Sequence, residues 1–330
     1  RDIVFLSDCD EEGGWFSTRW LVRQHWDEVD VATVVTEGGW TLAQRDGHTP
    51  MLASMTCQER VFGAVRLTAN GTTTHSSRPE TQSAIARLAE VVSRVEGFQA
   101  PVVLTELNRN YFRALADSTA DPRFRDAVRA LLVAEDPDAL TAAAADVVRT
   151  SSYPWLHNAM LRATIAFVIQ DGGLRANIIP GQASVVLQVR FTPQAQPPQQ
   201  LVDQLRELVG DDAELSLLGQ PGETAADTMA RWERDAAFTP APVDTDVFAA
   251  WQRAARQTYP AAPAVPAMFE AGTSGKPWRE KGIPVYGIYP YVVDNAAITA
   301  MHGDDERVDI EGLRRGTDLL ERMFQQFVVT

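Results

Sequence analysis

The chain has 330 residues, 45% of them hydrophobic and 22% charged, a composition of ordinary globular domains and long enough for two of them. With 30 Lys plus Arg against 44 Asp plus Glu, the formal charge of −14 repels phosphate backbones and anionic lipid, which argues against nucleic-acid and membrane partners. No apolar run is long enough to span a bilayer, and two cysteines, Cys9 and Cys57, make neither a disulfide framework nor a metal knuckle, so a reducing, cytoplasmic setting is expected.

Arg1 runs straight into Ile3-Val4-Phe5-Leu6, without an initiator Met or a signal-peptide layout, so the chain reads as lacking an amino-terminal segment. Ile3 to Leu6 is expected to be a short buried strand and Val31 to Val35 a second, with a helix over Ser17 to Gln24 between them, a βαβ pattern. Carboxylates follow both strands, Asp10-Glu11-Glu12 and Glu37, at the strand ends where an α/β sheet gathers its functional groups.

The grammar then changes. An alternating strand over Phe62 to Thr68 leads to a helix from about Thr81 to Val95, with Ile85, Leu88, Val92 and Val95 on one face and Gly97 as its stop. Residues 100–150 are Ala-rich and helical, and read as an elaboration of this second unit. Strands near Leu161 to Val168 and Ala183 to Phe191, a helix from Gln199 to Val209 and a strand at Glu214 to Leu218 complete a ferredoxin-like split βαβ. From about Gly219 the first pattern resumes, with a helix at Val247 to Tyr259, a strand at Val285 to Ile288, and a last helix from Ile310 capped by Asp309. The expected organisation is a discontinuous domain, 1–63 and 219–330, with 64–218 inserted into it.

Three adjacent carboxylates before Gly13-Gly14 form a charge cluster that a divalent cation would neutralise, although an acidic turn reads equally well on its own. Glu37-Gly38-Gly39 and Met301-His302-Gly303-Asp304-Asp305-Glu306 supply further glutamates and a histidine, a ligand set suited to zinc, cobalt or manganese. His25-Trp26-Asp27 has the spelling of a ligand pair but sits at a helix end and reads as surface. Cys9, pointing away from Asp10 on an alternating strand, is expected in the core. There is no P-loop, no Gly-x-Ser-x-Gly elbow and no His-Glu-x-x-His.

DEEGG at 10–14, EGG at 37–39, THSSRPET at 74–81, GGLRANIIP at 172–180, AGTS at 271–274, and GIPVYGIYP at 282–290 with MHGDDERV at 301–308 resemble, in this order, the M20 family of co-catalytic metallohydrolases. The wording is most similar to its carboxypeptidase and dipeptidase branch. The resemblance implies a zinc-peptidase-like α/β domain, a mixed sheet with helices on both faces, carrying an inserted ferredoxin-like lid through which two copies form a homodimer. It implies two divalent metal ions, zinc above all, with Glu12 and His302 on one and Glu37 on the other. Glu11 would be the general acid/base, and His75 would stabilise the oxyanion in the other subunit's site. Asn177 and Arg190, with the Gly272-Thr273 backbone, would hold a substrate carboxylate.

The sequence departs from the family in two places: its His-x-Asp ligand pair would lie upstream of Arg1, and Ser274 stands where Asp is common. The implied function is hydrolysis of an amide bond beside a free carboxylate, in a short peptide or an N-acyl amino acid. The rival readings are a metal-poor, non-catalytic dimeric binding protein of the same fold, and a hydrolase of ureido or amidino bonds. The residues taken singly leave plainer roles open: a turn for His75 and Asn177, a strand-surface charge for Arg190.

Overall fold

The computed structural model describes residues 2–11, 16–79 and 81–328. The chain divides into two compact units, the first made of Arg1–Glu59, Leu104–Leu161 and Thr239–Thr330, the second of Arg60–Val103 and Arg162–Phe238.

The first unit is built on a six-stranded mixed sheet. Its strands run in the order Val34–Thr36, Val285–Gly287, Pro50–Glu59, Thr41–Ala43 and Val292–Val293, with Ala264–Phe269 also paired to Pro50–Glu59. Val34–Thr36 is parallel to Val285–Gly287 and Ala264–Phe269 is parallel to Pro50–Glu59, whereas Thr41–Ala43 runs antiparallel to it. Pro50–Glu59 is buried along its length on both faces. Met55 and Tyr286 of the sheet meet Phe248 and Trp251 of the helix Asp246–Thr258 and Leu319 and Met323 of the helix Ile310–Val328 in one apolar core.

Four helices, Glu106–Ser118, Pro122–Val133, Pro137–Thr150 and Pro154–Leu161, belong to this unit. Asp121 and Asp136 cap the second and third through their side chains, each followed by a proline that has no N–H to leave unsatisfied. The Tyr153 hydroxyl donates to Ala43 O at 2.8 Å and Val293 O at 3.1 Å and accepts from Ala43 N at 3.0 Å, tying the helical layer to two strands of the sheet. The sequence reading gave 100–150 to the inserted unit. Apolar helix faces can bury against any neighbour, and here they bury against this sheet.

The second unit has the expected ferredoxin-like topology. Thr164–Asp171, Gln182–Phe191, Val61–Asn70 and Glu214–Leu218 lie in that order, all antiparallel. The helices Ala84–Glu96 and Pro198–Val209 cover the face that presents Val65, Leu67, Val185, Leu187 and Val189. A further helix, Ala225–Ala236, opens with a capping box between Thr224 and Asp227 and lays Trp232 over Gly63, where a Cβ would fall 2.8 Å from the indole. The insertion therefore runs to residue 238, beyond the expected 218.

One strand expectation fails. Residues 2–10 form no helix or strand, and Ile3, Val4, Phe5 and Leu6 are between 42% and 89% exposed. An apolar tetrapeptide becomes a strand only when a neighbour takes its backbone hydrogen bonds, and among the described residues none does so. Cys9 is exposed for the same reason, while Cys57 is buried and its thiol is pushed up to about 12 by desolvation. Among the described residues no helix is long and apolar enough to cross a membrane.

Candidate active site

Glu37 leaves the carboxyl end of Val34–Thr36 and is exposed, and the two glycines after it show why the motif is spelled as it is. Gly38 and Gly39 have φ of +113° and +78°, and a Cβ on Gly39 would lie 2.5 Å from Gly287 O and 2.6 Å from Ser54 O. The turn is thus wedged against the backbones of two strands, a fit only glycine allows. Trp40 then enters the core. Its indole N–H donates to the Glu270 carboxylate at 3.0 and 3.2 Å, and its ring stacks on Tyr289 with centroids 4.4 Å apart. Tyr289 is held in turn by its N–H to Gly39 O at 2.9 Å and by the Thr41 hydroxyl on its carbonyl at 3.1 Å.

Burial pushes the Tyr289 phenol well above its ordinary range, and the charges of Glu37, Glu270 and Glu306 add to it. His302, exposed and with a φ of +61°, directs its backbone N–H at Glu306 at 3.4 Å.

The 271–275 turn is fixed from beneath. Thr273 is 1% exposed; its hydroxyl donates to Glu59 Oε1 at 2.7 Å and its N–H to Glu59 Oε2 at 3.2 Å. Arg279 also reaches Glu59 Oε1, at 3.2 Å, and the carbonyl of Cys57 at the same distance. The Ser274 hydroxyl donates to Asp8 Oδ2 at 2.7 Å, which brings the segment ending in Glu11 beside this turn and sets a carboxylate next to the position where the family resemblance expects one. Glu11 itself is half-buried in a turn after Asp10, whose φ is +66°. Glu59 and Glu270 were not singled out from the sequence. Glu59 carried a signal, a carboxylate ending an otherwise uncharged strand, but its partner lies 214 residues away.

Glu12, expected to be a metal ligand, lies outside the described residues. The carboxylate and imidazole chemistry of Glu37 and His302, in a region rich in negative charge, suits a divalent cation. Among the described residues no group of three or more His, Cys, Asp or Glu side chains is gathered closely enough to hold one.

In the second unit the short ladder of Thr74–His75 with Ile178–Ile179 brings His75 and Asn177 together: His75 pairs with Ile178, and Ser76 N donates to Asn177 O at 3.0 Å. Both residues are exposed, and His75 Nδ1 lies 2.8 Å from the Ser77 hydroxyl. Arg190 is elsewhere. It lies near the far end of Gln182–Phe191, eight residues or about 26 Å from the strand start that follows Asn177. Its Nε donates to Gln188 at 3.2 Å and its guanidinium lies 5.9 Å above the Phe62 ring. Within one chain, then, Asn177 and Arg190 do not converge on one carboxylate, because the strand between them is extended.

Residues 58–215 match the model of the M20 peptidase dimerisation domain. The chain carries an M20 peptidase dimerisation domain. This bears out the resemblance drawn from the motifs, and the relatives extend it over the rest of the sequence. The chain is 24% identical over 327 residues to the probable carboxypeptidase S-like 2 of Dictyostelium discoideum, covering 96% of this chain and 58% of that protein. It is 22% identical to the human N-fatty-acyl-amino acid synthase/hydrolase PM20D1, covering 98% of this chain and 61% of the relative. The chain thus spans about three-fifths of the length of these curated relatives.

Among solved structures, the di-peptidase Dug1p of Saccharomyces cerevisiae aligns with a TM-score of 0.61 at 13% identity, over 98% of this chain and 65% of its own. The M20 family metallo-carboxypeptidase Sso-CP2 of Sulfolobus solfataricus aligns at 0.59 and 16%, over 97% and 69%. At these identities the likeness is one of fold.

Proposed function

We propose that this M20-type chain is a divalent-metal-dependent hydrolase that cleaves an amide bond next to a free carboxylate, in a short peptide or an N-acyl amino acid. The observation that carries the reading is the hydrogen bond from Ser274 to Asp8, which sets the segment of Glu11 beside the 271–275 turn in the unit that also holds Glu37 and His302. The names of the relatives, a carboxypeptidase and an N-acyl amino acid hydrolase, fit the same bond type.

In this reading Glu12 and His302 would hold one divalent ion and Glu37 the other, zinc before cobalt or manganese, and the ions would supply Lewis acidity and make water easier to deprotonate. Glu11 accepts the proton of the attacking water and returns it to the leaving amine, a task for a carboxylate held beside the reacting water. The substrate carboxylate is held at Gly272 by backbone, since the Thr273 N–H and hydroxyl are both committed to Glu59. His75 keeps the oxyanion role that the resemblance implies, and Asn177 and Arg190, which one chain does not bring to one carboxylate, would serve it from different copies of the homodimer. The matched dimerisation domain supports a homodimer formed through the second unit.

The test is a substrate pair, an N-acyl amino acid and its carboxamide, assayed before and after chelation and after return of zinc, cobalt or manganese. The free acid should be cleaved at least roughly a hundredfold more efficiently, the loss expected when a charged contact is removed. Chelation should abolish turnover. Equal cleavage of the amide would move the ureido or amidino alternative ahead.

A further inference from the structure

Glu59 has no counterpart among the residues that the motifs point to, yet it organises the turn that the proposed function gives to the substrate. It ends the buried central strand Pro50–Glu59, and its side chain is 9% exposed. One carboxylate oxygen accepts from the Thr273 hydroxyl and from Arg279 Nη2, the other from the Thr273 N–H. The Thr273 hydroxyl oxygen accepts in turn from Gly275 N at 3.1 Å. Arg279 is braced independently, through Nη1 to Cys57 O and Nη2 to Val285 O at 3.4 Å, so Glu59 is gripped from a rigid side. The turn packs closely on the next strand at Gly275, where a Cβ would lie 2.5 Å from Val285 Cγ1.

The result is an asymmetric turn. Both donors of Thr273 face inward to Glu59, while Gly272 faces open space, with nothing within 4 Å of where its Cβ would be. We infer that Glu59 is a positioning residue: it holds Thr273 inward so that the backbone of Gly272 is presented, without a side chain, to the carboxylate end of the substrate. A charged bidentate acceptor suits this task, because it fixes two donors of one residue at once and leaves the turn a single conformation. The inference rests on the proposed function for what binds at Gly272, and on geometry alone for what Glu59 does to the turn.

Two measurements separate these. Hydrogen exchange followed by mass spectrometry should show peptides covering residues 271–275 exchanging at least roughly tenfold faster in Glu59→Gln and in Thr273→Val than in the wild type, while Thr273→Ser, which keeps both donors, exchanges at the wild-type rate. The helix Asp246–Thr258 serves as internal control, since global destabilisation accelerates it as well. Unchanged exchange at 271–275 in both Glu59→Gln and Thr273→Val overturns the positioning role, whatever the enzyme does.

In kinetics on the free-acid substrate, well below the unfolding temperature of each variant, Glu59→Gln should raise KM by roughly tenfold to a hundredfold with kcat within about threefold, the signature of a displaced binding group. If the wild type discriminates acid from amide but Glu59→Gln leaves KM unchanged, the link to substrate is wrong and the proposed function stands. If the wild type does not discriminate, that reading of the site fails, and the exchange measurement still decides the role of Glu59.

Discussion

Two glycines with nearly the same positive φ allow the cost of crowding at the Glu37 turn to be isolated. Gly39 has a φ of +78° and Gly282 a φ of +81°. An alanine in the left-handed region costs about 1–2 kcal/mol at either position. At Gly282 nothing lies within 4 Å of the new methyl group, so Gly282→Ala should cost only that. At Gly39 the methyl group would fall 2.5 Å from Gly287 O, 2.6 Å from Ser54 O and 2.9 Å from Thr56 N, all backbone atoms of paired strands that cannot swing aside. Overpacking of this kind adds about 1–3 kcal/mol, for a total of about 2–5 kcal/mol, against the 5–15 kcal/mol that holds a typical domain together. Urea unfolding monitored by tryptophan fluorescence would measure both variants, with the difference in midpoint read at an unchanged slope. Equal losses for the two substitutions would refute the reasoning, because the turn would then not be wedged against the sheet.

Glu11→Gln should keep fold and metal content but lower turnover by orders of magnitude, whereas Glu12→Gln should lower bound metal; equal metal loss in both, measured by elemental analysis, would contradict the division of roles. His157 is fully buried, with Nδ1 2.7 Å from the Ser151 hydroxyl and its ring stacked on Phe124, and burial pushes its pKa down to about 3. The unfolded chain therefore takes up that proton first on acidification. His157 should withdraw about 1.4 kcal/mol of stability per pH unit from near pH 6.5 down toward pH 3, a slope that His157→Gln should lack when unfolding midpoints are compared across pH. Tyr153→Phe removes the hydroxyl shared by Ala43 and Val293 and leaves a buried N–H without its acceptor, which should cost about 1–3 kcal/mol in the same unfolding assay.

The elements that were legible beforehand are those whose periodicity is imposed by having one dry and one wet face. Val61–Asn70 alternates buried and open positions, and Ala84–Glu96 and Pro198–Val209 each carry an apolar stripe, so the ferredoxin-like unit could be read from its residues. Pro50–Glu59 is dry on both faces and has no period to read, which is why the central strand of the first sheet was missed, and with it Glu59. Ile3 to Leu6 has strand composition without a strand partner, and composition cannot supply one.

At the site, local spelling determined what a turn demands: two glycines after Glu37, and a threonine and glycines at 272–275. It named Glu37 and His302 as residues with chemistry to offer, and the resemblance to the M20 family added Gly272 and Thr273. Only the tertiary structure decided which of them meet. Hydrogen bonds from residue 273 to 59 and from 274 to 8 join segments more than 200 residues apart, and an extended strand keeps Arg190 about 26 Å from the start of the strand that follows Asn177. The reason is physical: a side chain's chemistry belongs to its residue, but its neighbours are set by the packing of elements that share no local sequence signal.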